Sequence, residues 1–590
     1  MKRWGFVGLL ALAACAPESS TRASAQGQVC PGVLAGGIKE ETSARQGLDG
    51  TQPSRTHDDG REPVIIRFRR SGGTGTHAAA VTASGASFTA STGAKVSAVY
   101  RNIPAVAARV SPAERYLLER SDLVESIEVD QPWSAQGLTP ALFSPLPRQL
   151  TAATLLPGDE YTEGLRLVQA PEVWDANGDG VLDEGAPTGQ GVKVCIIDSG
   201  LDMAHPEFQG AVAASHDFLD DDDDANDRGS KGQWGQGHGT HVAGIIAARV
   251  GQGGVTGPRG SPGGMVGVAP NASLLIARVL DLQGHTQMSV VLSAMEWCES
   301  QGARVVSLSL GGGTATRSTV EAFKALLDHG MLVVAASGNQ NGPVSYPASD
   351  PSVLAVGAVD SRERRASFSN AGPELSLVAP GVDVLSTFPR GLGAFAEMSV
   401  EDASPLSRSL LYSPTGDTSG RLVDCGLGDS LDSCLEATCD GFVAYVRPGA
   451  VPVDQSMANV MRQGARAVVF AAEDAPAGGS VDILSLPRSG HWAPAVSVNQ
   501  AASTMLRQRL GADARLSLFP VDYTHVSGTS MAAPYVSGVA ALLWSARPEL
   551  TPQQVREALE ASARDLGTQG RDPLFGHGLV HARDALQRLP

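Results

Sequence analysis

From about residue 166, runs of Val, Ile and Leu alternate with helical stretches; the runs fall at 192–197, 274–279, 305–308, 332–335 and 353–356. Runs apolar at successive positions belong to strands covered on both faces, and strands separated by helix-length connections run parallel. The pattern therefore predicts an α/β fold, a mostly parallel sheet with helices on both faces. It pauses near 390 and resumes near 525. The stretch between has its own cysteines, Cys425, Cys434 and Cys439, expected strands at 441–447 and 467–471, and an expected helix over 455–463. That is too much structure for a loop. We expect a β-rich inserted domain at 396–520, dividing the α/β unit into 166–395 and 521–590.

Upstream, 64–68 reads as a strand, 112–120 as a helix capped by Ser111, and 124–129 as a returning strand, which makes a small α+β unit over 62–136. Residues 16–61 are rich in Ser, Thr, Gly and Gln without hydrophobic periodicity and read as a tether. The Pro- and Gly-punctuated stretch 137–165 reads as a linker open to proteolysis. At the start, Lys2 and Arg3 precede an apolar run over 4–14 that is shorter than the roughly twenty residues needed to span a bilayer. This is the form of an export signal. It ends Leu12-Ala13-Ala14-Cys15, which resembles a bacterial lipobox; the alternative is small-residue signal cleavage beside an incidental cysteine.

Export permits disulfides. Of seven cysteines, those other than Cys15 are Cys30, Cys195, Cys298 and the cluster of three, within which one pair is expected. Cys195 and Cys298 lie in apolar surroundings and read as buried free thiols. Lys plus Arg is 45 against 62 for Asp plus Glu, a formal charge of −17, so phosphate backbones are repelled and nucleic acid is excluded as a partner.

Three segments place reactive residue types where the backbone would expose them. Val194-Cys195-Ile196-Ile197-Asp198-Ser199-Gly200 puts a carboxylate at the carboxyl end of a strand, where open α/β sheets build sites. Gly237-His238-Gly239-Thr240-His241 leads glycines and two histidines into an apolar helix; a metal pair would need a third ligand, and no HExxH spacing exists. Gly528-Thr529-Ser530-Met531-Ala532-Ala533-Pro534 sets a serine at a helix amino terminus, where free N–H groups favour developing negative charge. Taken singly, the Asp reads as a turn residue, the histidines as a cap and the Ser as an N-cap. Together they supply a nucleophile, a general base and a carboxylate to orient the base.

In motif and in the order Asp, His, Ser, these three segments resemble the subtilisin-like serine peptidases. The resemblance implies a secreted serine endopeptidase working through an acyl-enzyme, with Asp198, His238 and Ser530 as the triad. It also implies that Asn339, in Ala335-Ala336-Ser337-Gly338-Asn339, is the side-chain donor of the oxyanion hole. Ser309, Leu310, Gly311 and Gly312 resemble the substrate-binding edge, and Ser345, before Tyr346-Pro347, would lie near the floor of the specificity pocket. Residues 62–136 resemble the family's inhibitory propeptide, and 396–520 a protease-associated (PA) domain, through Gly441-Phe442-Val443-Ala444-Tyr445-Val446-Arg447 and Gly464-Ala465-Arg466-Ala467-Val468-Val469. Partners expected are polypeptide substrates and the chain's own propeptide, with the enzyme a monomer. Lipid on Cys15 would tether only the precursor, because maturation between 137 and 165 would release the enzyme to the periplasm or the medium.

Asp175, Asn177, Asp179 and Asp183 bring oxygen ligands at alternate positions around Gly180, the spacing of a calcium loop, although Ala186 stands at the twelfth position. A structural calcium is expected there; the acidic run 220–224 is either a second cation site or a solvated loop. The stretch Pro258 to Gly264 lacks the Asn of the family's best-known calcium site, which is not carried over. Two other readings compete with this one. One is a catalytically idle peptide-binding or adhesion protein on the same fold; the other is an esterase, whose Gly-x-Ser-x-Gly elbow is missing around Ser530.

Overall fold

The structure is a computed structural model that describes residues 60–69, 78–135, 160–227, 237–251, 263–434, 441–449, 451–471, 486 and 491–589. The export signal with Cys15, nearly all of the tether, Cys30, Cys439 and the linker up to 159 lie outside the described residues.

The amino-terminal unit contains β1 (Glu62–Phe68), α1 (Ala78–Ser91), β2 (Lys95–Val99), β3 (Ala105–Val110), α2 (Pro112–Glu119), β4 (Val124–Val129) and β5 (Pro132–Ala135). Its antiparallel sheet has the order β2-β3-β1-β4. Side chains of β1 alternate between two jobs, as a strand's period of two requires. Val64, Ile66 and Phe68 pack with Leu118 and Val124 in the unit's own core, whereas Ile65 joins the core of the large domain. Helix α2 starts as the sequence indicates. The Ser111 hydroxyl accepts from Glu114 N–H, the Glu114 carboxylate accepts from Ser111 N–H, and Pro112 occupies the first turn.

The large domain runs α3 (Glu163–Leu167), α4 (Pro171–Trp174), β6 (Lys193–Asp198), β7 (Val212–Asp217), α5 (His238–Ala247), β8 (Ser273–Arg278), β9 (His285–Gln287), α6 (Met288–Ser300), β10 (Val305–Leu308), β11 (Leu310–Gly311), α7 (Arg317–Asp328), β12 (Leu332–Ala336), β13 (Val353–Val359), β14 (Leu377–Pro380) and β15 (Val384–Thr387). Seven strands form one parallel sheet in the order β14-β13-β12-β10-β6-β8-β7. The expected strand runs are all in it.

The inserted domain holds β16 (Gly393–Val400), β17 (Ser407–Ser409), β18 (Gly416–Asp424), β19 (Phe442–Val446), α8 (Val453–Arg462), β20 (Ala465–Ala471), β21 (Ala495–Val498), α9 (Gln500–Arg507) and β22 (Asp513–Val521). Its mixed seven-stranded sheet, β16-β22-β18-β19-β20-β21-β17, separates two cores, one under α8 and one under α9. The chain returns through β23 (Tyr523–Val526), α10 (Thr529–Ala546), α11 (Pro552–Ser562) and α12 (Ala582–Gln587). Because β15 and β23 pair antiparallel, the insert leaves and rejoins the large domain at one place.

Alternation along β6 sends Val194 and Ile196 to the face covered by α5 and α10, and Cys195 and Ile197 to the face covered by α6 and α7. That orientation corrects the reading of Cys195 and Cys298 as free thiols. Cys298 of α6 lies over β6 with the two Cα atoms 5.8 Å apart, within bridging range, and the pair is a disulfide. In the insert Cys425 pairs with Cys434, one of the expected possibilities.

Candidate active site

Asp198 ends β6 and His238 opens α5, and the sheet and helix bring them together although forty residues separate them. His238 Nδ1 lies 2.8 Å from Asp198 Oδ1, and both side chains are 1% exposed. Two glycines permit the approach: a Cβ on Gly239 would stand 2.2 Å from the Gly200 carbonyl oxygen, and one on Gly200 would stand 2.5 Å from that of Ala225. Burial disfavours the imidazolium of His238, but the charges of Asp198 and Asp227 and the bond to Asp198 outweigh it, so its pKa lies above the ordinary imidazole value. Neighbouring His241 is driven the other way, to about 3, by burial first and the facing His238 second. It is therefore a neutral structural residue whose Nε2 lies 3.1 Å from the Val384 carbonyl and 3.2 Å from that of Thr524. The structure thus separates the two histidines, which their spacing could not.

Ser530 lies in the first turn of α10, where backbone N–H groups have no helical partner. Its hydroxyl donates to the Ser309 carbonyl (3.1 Å), and the Ser309 hydroxyl donates to the Ser530 carbonyl (2.9 Å). His238 Nε2 is buried with no hydrogen-bond partner. Asn339 follows β12, and its side-chain oxygen accepts from the N–H (2.9 Å) and hydroxyl (3.0 Å) of Thr529, beside Ser530. With the oxygen so engaged, the amide NH2 is left as a donor next to the nucleophile.

A strand of the amino-terminal unit lies along Leu310 and Gly311. Strand β5 lies between β11 and β9, pairing Ala135 with Leu310, Ser134 with Gly311, and Trp133 with Thr286. Gly312 leaves room for it, since a Cβ there would stand 3.1 Å from the Pro132 carbonyl oxygen and 3.3 Å from Trp133 Cα. Trp133 is buried with its ring edge-on to Tyr346 at 5.9 Å. The Ser345 hydroxyl accepts from the Asn370 side chain (2.9 Å) and lies 2.5 Å from where a Cβ on Gly338 would stand. Strand β5 is not legible in the sequence: four residues with partners at 285–287 and 310–311 leave no local periodicity to read.

The remaining expected site residues lie apart from these elements. In the loop after α4, the Asp175 carboxylate accepts from Asp179 N–H and Gly180 N–H, Asp183 from Ala176 N–H, and Asn177 from Asp179 N–H. Among the described residues no group of three or more His, Cys, Asp or Glu side chains is gathered to hold a metal. The donors are oxygens alone, which suits a hard cation, but their side chains are turned to backbone N–H groups and would have to swing inward.

Comparison with known proteins agrees with this fold. The subtilase family (peptidase S8) matches residues 189–419 and 516–578, a match that breaks inside the insert. The chain is 36% identical over 247 residues to the major intracellular serine protease of Bacillus subtilis, covering 41% of this chain and 70% of that protein. It is 41% identical over 209 residues to subtilisin E of the same organism, covering 35% of this chain and 50% of that protein. Among solved structures, the psychrophilic subtilisin-like protease Apa1 of Pseudoalteromonas sp. AS-11 aligns with a TM-score of 0.50 and 30% identity, over 72% of this chain and 97% of that one. Fervidolysin of Fervidobacterium pennivorans aligns with a TM-score of 0.54 over 90% of this chain and 61% of that one, but at 21% identity it speaks for the fold alone. A parallel sheet with Asp198 at the end of one strand and His238 and Ser530 in the first turns of two helices, and relatives of this identity and coverage, lead to one conclusion: the chain belongs to the subtilase family of serine-type endopeptidases.

Proposed function

We propose that the protein is an exported endopeptidase whose Ser530 attacks the scissile carbonyl while His238 takes the hydroxyl proton. His238 then returns that proton to the leaving amine, and Asp198 holds the Nδ1–H tautomer. The oxyanion forms between the Ser530 N–H and the Asn339 amide. The observation that carries this reading is the buried 2.8 Å contact of His238 Nδ1 with Asp198, which leaves Nε2 as the basic nitrogen. An idle peptide-binding protein would have no need of that buried pair. The test is Ser530→Ala, which should keep the melting temperature and abolish hydrolysis of casein; casein hydrolysis retained by that variant would refute the assignment.

In this reading residues 62–136 are an inhibitory propeptide, with β5 lying along the substrate edge formed by Ser309, Leu310, Gly311 and Gly312. Ser345 stands near the pocket floor. The insert serves as a non-catalytic PA-like domain that restricts access or binds polypeptide. The two disulfides support folding in an oxidising compartment. Lipid on Cys15 would tether the precursor, and cleavage in 137–165 would free a monomeric enzyme. Calcium held by Asp175, Asn177, Asp179 and Asp183 would brace the loop after α4 without entering the chemistry. A chelator should then lower the melting temperature and the resistance to autolysis, and no change in either would remove calcium from the account.

A further inference from the structure

We infer that Asp227 is a positioning residue for the catalytic base, fixing the first turn of α5 against the loop that carries Asp198. Asp227 is fully buried, in the chain between β7 and α5. One carboxylate oxygen accepts from the Ser199 hydroxyl and from Gly237 N–H, both at 3.1 Å; the other accepts from Thr240 N–H at 3.2 Å and the Thr240 hydroxyl at 2.8 Å. The Ser199 hydroxyl in turn accepts from Gly239 N–H at 2.9 Å. The backbone on both sides of His238, at 237, 239 and 240, is thus tied to one carboxylate, directly or through one hydroxyl.

Ser199 is also the neighbour of Asp198, and its N–H donates to the same Asp198 oxygen that faces His238 Nδ1, at 2.7 Å. Asp227 therefore joins the strand end bearing the orienting carboxylate to the helix start bearing the base. A carboxylate suits this place because the first N–H groups of a helix lack intrahelical acceptors and carry the positive end of the dipole. The bonds hold the imidazole where Nε2 meets the nucleophile, and small displacements there are costly in rate.

Asp227 also contributes charge. The titratable groups facing His238 are Asp198 from β6, Asp227 from the loop and His241 from its own helix, with His525 of β23 behind His241. Both carboxylates favour the imidazolium. Removing the Asp227 charge lowers the pKa of His238, and because the base works when neutral, activity then extends to lower pH.

The inference rests on His238 and Ser530 acting as base and nucleophile, and its test separates the two. With the processed enzyme, kcat and KM for a peptide substrate and the rate of fluorophosphonate labelling are measured against pH for wild type, Asp227→Asn and Asp227→Glu. The Asn variant should lose about tenfold to a hundredfold in kcat with little change in KM, the scale of a slightly misplaced catalytic group. Its acid limb should move to lower pH, and Glu, which restores the charge, should return the limb to its wild-type place. An unmoved limb, with kcat falling only as the folded fraction falls, would overturn the inference. If the Asn variant does not fold, Ser199→Ala decides: it keeps the charge and cuts the bridge, so kcat should fall with the limb unmoved, whereas unchanged kcat would overturn the inference. Absence of labelling in the wild type would instead sink the triad itself.

Discussion

At the scale of single residues, chemistry is set by which atoms are already committed. Asn339 illustrates this, because two donors from Thr529 engage its oxygen and leave its NH2 as the donor that the proposed reaction would use. Asn339→Leu should therefore lower kcat by about a hundredfold to a thousandfold with KM little changed, the known magnitude for losing one oxyanion donor in this family. A rise in KM at constant kcat would show that the amide only binds substrate. Asp198, His238, Ser530 and Asn339, the residues of the proposed site, were named from the sequence because each sits in a short motif. Asp227 was not. It lies among the acidic residues that begin at Asp220, and composition cannot tell a solvated carboxylate from one buried on the turn that carries the base.

Elements were legible where their pattern is local. The Ser111 cap of α2 and the apolar runs of the large sheet have the predicted places. Helix α1 went unread because its sequence, AAAVTASGASFTAS, carries no apolar stripe. Its small residues serve close packing, and a Cβ on Gly85 would stand 2.4 Å from the Phe68 ring. The Cys195–Cys298 bridge was also hidden, since pairing across 103 residues depends on how β6 and α6 stack. It ties the strand ending in Asp198 to a helix on the opposite face from α5, so its role is to hold the sheet rather than the reaction. Replacing both cysteines by alanine should cost about 3 to 5 kcal/mol of stability, as expected for opening a loop of that length. Chemical denaturation of the oxidised wild type and the double variant measures it, and equal midpoints would contradict that role.

Over the whole molecule, the amino-terminal unit and the large domain share a core. Ile65, Tyr100, Ile103, Ala105 and Ala107 pack in the same cluster as Leu292, Met295 and Phe323 of α6 and α7. Around it, Arg67 is buried, 2.7 Å from Glu321 with Glu125 and Glu128 nearby, Glu128 accepts from the Ser318 N–H that opens α7, and Asp130 accepts from the Ser289 N–H and hydroxyl that open α6. Carboxylates of the small unit thus satisfy helix starts of the large one. Beyond that platform β5 pairs with β11 and β9 of the large domain, and Ser530, His238 and Asp198 are all buried. The contact is legible only in three dimensions, for the two surfaces are distant in sequence and each reads alone as an ordinary mixed face.

The most direct measurement is the mass of the adduct that a fluorophosphonate forms with the processed enzyme, mapped by peptide. One adduct on the peptide bearing Ser530, missing from Ser530→Ala and lost when His238 is replaced by alanine, is the predicted result. An adduct on another residue, or none on a folded processed enzyme, would contradict the account.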